Sequence, residues 1–196
     1  MSLERTLLKN KFKILDMVEP QARVLDLGCG NGELLKLLKE KKNIKGYGVE
    51  IDENHIIECV SNNISVIQGN LDKGLHDYGD HSFDYCLLIQ TLQVVYKPKI
   101  IIQEMLRVGR KAIISFPNFA YWKNRTRLFF WGRMPVNKEF PYSWFDTPNI
   151  HMLTIEDFRE FCHQNGIIIL EEFYINSMKI FNNSFSPTGL FLIKKD

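Results

Sequence analysis

Two rhythms of apolar residues alternate along most of this chain. Short apolar runs bounded by glycine, proline or charge read as strands, and stretches with apolar residues every three or four positions read as helices. Leu3, Leu7, Leu8, Leu15 and Val18 fall on one helical face that Pro20 ends. Val24 to Leu27 is a buried strand, and leucine pairs from Glu33 to about Lys42 form the next helix. Tyr47 to Asp52 is a second strand, closed by Glu50. Asp52 then caps a helix to about Cys59 or Val60, which Asn62-Asn63 closes. Ser65 to Gln68 and Phe83 to Ile89 are strands three and four, the latter apolar enough for the centre of a parallel sheet. Pro98 opens a helix to Val108 with Gly109 as its stop, and Lys111 to Phe116 is strand five, cut off by Pro117. Thr154 and Asp157 form a capping box with Asp in place of Glu; it starts a helix with Ile155, Phe158 and Cys162 inward and Gly166 at its end. Ile167 to Leu170 and Leu190 to Ile193 are the last two strands.

Strand–helix alternation of this kind predicts an α/β fold with a doubly wound, mostly parallel seven-stranded sheet. No helix pattern separates the last two strands. They are expected to form an antiparallel hairpin at one edge, with the last strand antiparallel to the rest. The chain of 196 residues fits one domain, 1–196, with an insertion at about 117–150 where the alternation breaks. Hydrophobic residues make up 45%, enough for a core, and the net charge of +2 provides no global field toward nucleic acid or a membrane surface. Cys29, Cys59, Cys86 and Cys162 lie far apart without C-x-x-C spacing, which speaks for reduced, buried thiols and against a zinc site. Met1 to Phe12 has no signal-peptide core, no run reaches membrane-span length, and the three N-x-[ST] tripeptides match the glycosylation pattern only formally. A cytoplasmic location is the expectation.

Candidate chemistry begins where the first strand ends. Asp26-Leu27-Gly28-Cys29-Gly30-Asn31-Gly32 reads D-x-G-x-G-x-G, with the third glycine too early for the G-x-G-x-x-G dinucleotide loop. The loop feeds a helix N-terminus, and an acid two residues before it suits a ligand with a free ammonium group rather than a bare pyrophosphate. About twenty residues on, Glu50 closes strand two, where a carboxylate can accept from both ribose hydroxyls. The motif resembles the first motif of the class I S-adenosylmethionine-dependent methyltransferases. That resemblance implies that Asp26, Gly28, Cys29, Gly30 and Gly32 hold the methionine part, Glu50 the ribose and Ile51 one adenine face. The ends of strands three and four would supply Asn70, Leu71, Ile89 and Gln90. Asn70 departs from the acid usual there; its side-chain carbonyl can still accept from the adenine amino group, with a turn former as the alternative, and the Leu71 N–H would face the ring. The antiparallel tail also separates this sheet from those of the dinucleotide dehydrogenases.

Residues 117–150 concentrate Phe119, Tyr121, Trp122, Phe129, Phe130, Trp131, Phe140, Tyr142, Trp144 and Phe145 among Lys123, Arg125, Arg127, Arg133 and Lys138. The segment is expected to build the acceptor pocket. It can equally be a lid over a small anion, a partner-docking surface or, against the near-neutral charge, a single-strand binder. Thr126, Leu128, Phe130 and Trp131 suggest a helix, so part of the stripe is expected in the core. Phe116 to Arg125, Gly132 to Val136, Pro141-Tyr142, Trp144 to Asp146 and Thr147 to His151, together with Leu88 to Gln93, resemble the methionine biosynthesis protein MetW family. This implies a role in bacterial methionine synthesis with a homoserine O-acyltransferase as partner; from the near-neutral charge, no nucleic-acid partner is expected. His151, just before a helix cap, is the candidate base, with a structural role as the alternative. Two functions stay open: methyl transfer to a small or peptide-borne acceptor, or retention of the fold to sense S-adenosylmethionine or S-adenosylhomocysteine.

Overall fold

The computed structural model describes residues 3–174 and 181–196, with side chains from residue 9 onward. The elements run α1 (Leu3–Met17), β1 (Arg23–Leu27), α2 (Glu33–Lys42), β2 (Lys45–Glu50), α3 (Glu53–Ser61), β3 (Ser65–Gln68), β4 (Phe83–Ile89), α4 (Pro98–Val108) and β5 (Gly109–Pro117). After them come α5 (Trp122–Trp131), α6 (Ile155–Gln164), β6 (Ile167–Tyr174), α7 (Asn182–Phe185) and β7 (Thr188–Lys195). The side chains of Leu3, Leu7 and Leu8, assigned above to the leading helix face, lie outside the described residues; those of Ile14 and Val18 are buried.

One sheet of seven strands has the order β3-β2-β1-β4-β5-β7-β6. β1 to β5 pair in parallel, and β7 is antiparallel to both neighbours. The last two strands pair antiparallel as expected, but the short α7 lies between them in the chain where no helix was expected, and β7 inserts between β5 and β6, leaving β6 at the edge. Burial explains the choice: Thr188 to Ile193 are all buried, so β7 needs a strand on each side, whereas β6 exposes Leu170 and Glu171. β6 also runs past the apolar run to Tyr174 through a bulge between Ile169 and Glu171. Glu172 beyond it accepts from Arg159 of α6 at 2.6 Å, a pairing invisible to local periodicity.

Period-two alternation divides the core into two layers. Cys86, Leu88, Ile114, Phe116 and Phe191 face α4 and α6, where Phe158 meets Phe191 at 4.7 Å between ring centres. Tyr85, Leu87, Ile113 and Leu190 face α1 and α2. The Thr154–Asp157 capping box is closed in both directions. Among the described residues no helix is long and apolar enough to cross a membrane.

The segment after β5 meets the expectation of a partly buried stripe only in part: Phe140 is buried and packs edge to face on Phe119 at 5.5 Å. α5 forms over the residues whose pattern suggested a helix, but its buried residue is Asn124, and its aromatics are exposed. A polar lattice holds it instead of a hydrophobic stripe. Asn118, buried, donates to the carbonyls of Asn183 and Ser186 and accepts from the Ala120 N–H. Asn124 donates to the Phe119 carbonyl and accepts from Asn137 Nδ2 at 2.6 Å. Removing the Asn124 amide strands Asn137 and two carbonyls. Asn124→Ala is therefore expected to lower unfolding free energy by about 1–2 kcal/mol, read from urea denaturation; an unchanged midpoint would show that the lattice does not hold α5.

Candidate functional site

The sheet reverses its winding between β1 and β4, and ligands of such sheets lie over the carboxyl ends of the strands at that point. The glycine loop leaves β1 there. Gly28 and Gly30 adopt φ of 73° and 53°, in the left-handed region that side chains avoid. The Gly28 and Cys29 N–H groups donate to the Val49 carbonyl, stapling the loop to the end of β2. Glu50 completes the staple: Oε2 accepts from the Gly30 N–H at 2.8 Å, and Oε1 from the N–H groups of Ile51 and Asp52.

A cleft of about 530 Å³ opens beside this loop. Glu50 and Ile51 border it from β2, Asn70 and Leu71 from beyond β3, and Ile89 and Gln90 from beyond β4. Gly28, Gly30 and Ile89 also border a smaller recess of about 160 Å³, which reaches Asp26 and Cys29 and is closed by Asn10 and Lys11 of α1. Every residue that the sequence pattern put at the nucleoside site thus borders one of these two spaces, except Gly32. A Cβ on Gly32 would lie 2.9 Å from Cys59 Sγ and 3.2 Å from Ile64, so this glycine serves packing against α3. A Cβ on Gly30 would meet nothing within 4 Å, because the residue faces the open cleft.

Asp26 is 2% exposed, and its Oδ1 has no hydrogen-bond partner. Burial, reinforced by the charge of Glu50, raises its pKa to about 7. Asn10, equally buried, carries a second unpartnered acceptor, Oδ1, and borders the same recess. Two orphaned oxygens on one small space fit a bound cationic donor. Lys11, paired with Glu33 at 2.7 Å, brings a positive charge to its rim. Neither Asn10 nor Lys11 was legible in advance, since α1 lies far from the glycine loop in sequence.

Asn70 Oδ1 accepts from the Asp72 N–H and so caps the short turn Leu71–Lys73, the turn-forming role. Asp72 is a cleft residue that the pattern did not single out. It borders the large cleft, and its Oδ1 accepts from the Tyr96 and Lys97 N–H groups, tying the loop after β3 to the loop after β4. Gln90 has φ 55°, and such strain, costing on the order of 1–3 kcal/mol, persists where surroundings impose it. Here its N–H donates to the Ser115 carbonyl, and its carbonyl accepts from Gln93 Nε2 at 2.7 Å.

His151 is placed elsewhere. It borders a separate apolar space of about 490 Å³ between α4 and α6, with Leu92, Ile102 and Phe158, and its backbone N–H donates to the Gln93 carbonyl. No residue of 117–150 borders the cleft or the recess, so the segment expected to build an acceptor pocket stands clear of both. Among the described residues no cluster of three or more His, Cys, Asp or Glu could hold a metal.

The family model of the methionine biosynthesis protein MetW matches residues 9–193. The bifunctional methionine biosynthesis protein MetXA/MetW of Rhodopirellula baltica is 39% identical over 178 residues, which are 86% of this chain and 29% of that protein. The chain therefore spans less than a third of that relative's length. Among solved structures, an S-adenosylmethionine-dependent methyltransferase of Methanosarcina mazei superposes with a TM-score of 0.70 at 18% identity, over 93% of this chain and 96% of the other. One of Thermotoga maritima superposes with 0.68 at 17% identity, over 99% and 91%. At these identities the likeness is one of fold: both are class I methyltransferase sheets.

Proposed function

The chain belongs to the methionine biosynthesis protein MetW family, and from that premise we propose that its cleft binds S-adenosylmethionine or S-adenosylhomocysteine and that it acts with a homoserine O-acyltransferase. The observation that carries the binding reading is the pair of unpartnered oxygens, Asp26 Oδ1 and Asn10 Oδ1, on the recess beside the glycine loop. Both ligands carry an ammonium group with donors for those oxygens and a carboxylate for Lys11. Glu50 would receive the ribose hydroxyls, exchanging part of its backbone bonding for them. Val49, Ile51 and Leu71 would flank the adenine. The partnership is supported by the relative that bears MetXA and MetW on one polypeptide. When bound, S-adenosylmethionine supplies a sulfonium-activated methyl group. The task of this chain's residues would then be to hold the acceptor in line and dry.

A second reading, a non-catalytic subunit that senses the cofactor or its demethylated product for the acyltransferase, is favoured by where His151 and residues 117–150 lie, outside the cleft. The deciding experiment titrates the chain with each ligand by calorimetry, then assays the acyltransferase with and without chain and S-adenosylmethionine. Formation of S-adenosylhomocysteine would support methyl transfer. Acyltransferase activity that responds to S-adenosylmethionine only with the chain present would support sensing, and absence of binding would sink both.

Asp26 makes binding pH-dependent. Its pKa is raised in the free protein to about 7. A ligand ammonium pairs with the ionised form, so affinity is complete above that value and falls as pH drops through it. S-Adenosylhomocysteine is expected to bind about tenfold more weakly at pH 6 than at pH 8, and Asp26→Asn should flatten the profile. For the ligand-free fold the same raised pKa acts in the opposite direction. Stability from the neutral carboxyl is full below its ordinary 3.8 and is lost as pH rises through about 7. A flat affinity profile in the parent protein would count against Asp26 as the ammonium partner.

A further inference from the structure

α5 is turned inside out for a surface helix: it buries Asn124 and leaves Phe129 83%, Phe130 68% and Trp131 69% exposed. Their rings stack edge to face, Phe129 on Phe130 at 5.0 Å and Phe130 on Trp131 at 5.8 Å, so they form one ridge. The helix that carries them is held rigidly. Arg125 Nε donates to the Ala120 carbonyl at 2.6 Å, the asparagine lattice anchors its inner face, and Gly132, at φ 58°, closes its end on the Leu128 carbonyl. Large aromatics fixed outward on a built support mark an interaction surface, since a monomer gains nothing by leaving them in water.

Beside the ridge runs a groove of about 420 Å³, bordered by Trp131, Lys123, Arg127, Arg133 and Val136. Among the described residues no carboxylate pairs with Lys123, Arg127 or Arg133. Lys123 Nζ instead stands over the rings of Tyr121 and Trp122 at 5.9 and 5.8 Å. Uncompensated cations converging on a groove beside exposed aromatics complement a surface that offers carboxylates and an apolar socket.

We infer that this ridge and groove form the docking surface for an acidic, pocket-bearing patch of the acyltransferase; the inference rests on the partnership proposed above. A bilayer fits less well. Three consecutive helical residues fan out over about 200°, so a flat surface cannot take all three, whereas a concave protein partner can. A nucleic acid is disfavoured by the net charge of only +2.

The test measures association of the chain with the purified acyltransferase at low and high salt, for the parent, Trp131→Ala and Arg127→Glu/Arg133→Glu. These side chains are exposed, so the variants are expected to melt like the parent. Each should bind the acyltransferase at least about tenfold more weakly, parent binding should weaken with salt, and S-adenosylhomocysteine affinity should stay within about threefold of the parent. Parent-like binding of the acyltransferase by both variants would overturn the docking surface and leave the partnership intact. A parent that binds S-adenosylhomocysteine but not the acyltransferase would overturn the partnership, and the surface with it. Loss of binding to anionic vesicles in the variants, with acyltransferase binding unchanged, would assign the ridge to a membrane surface instead.

Discussion

Gly30→Val is expected to abolish binding of S-adenosylhomocysteine. Gly30 sits at φ 53°, where an L-residue carries about 1–2 kcal/mol of strain, and more when β-branched. Its missing side chain leaves open space on the border between cleft and recess. A valine there would put two methyl groups where the ligand must pass from adenosine to amino acid. Losing about 3 kcal/mol of binding is roughly a hundredfold in Kd, beyond detection for a micromolar ligand. Gly32→Ala is the contrasting variant. Its Cβ would press on Cys59 Sγ at 2.9 Å, so it should melt lower while a folded fraction still binds. Calorimetry on both, beside thermal melts, separates a glycine kept for the ligand from one kept for packing. Normal binding by a folded Gly30→Val protein would reduce the loop to a turn.

Glu50→Ala should weaken S-adenosylhomocysteine by about 1.5–3 kcal/mol, the usual worth of hydrogen bonds to a charged group. From sequence alone the substitution would be expected to leave the fold undisturbed. The structure changes that part of the expectation, because the carboxylate also receives the N–H groups of Gly30, Ile51 and Asp52. Truncation should therefore also lower the melting temperature, by an amount equivalent to about 1–2 kcal/mol, as the loop loses its tie to β2. Glu50→Gln keeps the shape and one acceptor oxygen, so it should recover part of the stability and less of the affinity. Unchanged binding together with unchanged melting in Glu50→Ala would remove Glu50 from the site.

These variants probe a cleft whose lining was partly readable beforehand. Asp26, Gly28, Gly30 and Glu50 were legible because a strand end, a glycine turn and a following strand end are local features at a set separation. Ile51, Asn70, Leu71, Ile89 and Gln90 followed from placing the cleft at the carboxyl ends of parallel strands. Asn10 and Asp72 were missed because neither lies in the glycine motif or at a strand end, where the pattern looked. Asn10 comes from a helix laid over the loop, and Asp72 through backbone N–H groups beyond β4.

Sequence by itself determined the order and nature of the elements, apart from the short α7 between the last two strands, and several of their bounds. Ser65–Gln68, Phe83–Ile89 and Pro98–Val108 lie where the pattern puts them, and the Thr154–Asp157 box closes as its spacing requires. Such features depend on backbone geometry over a few residues, so the chain states them locally. Tertiary structure alone decided that β7 slides between β5 and β6, that His151 borders a different space from the cleft, and that α5 turns its aromatics outward. An aromatic stripe reads alike whether it meets a core or solvent. Its direction is set by what the opposite face can satisfy, and on α5 that face is Asn124 in a lattice with Asn118 and Asn137, drawn from across the fold.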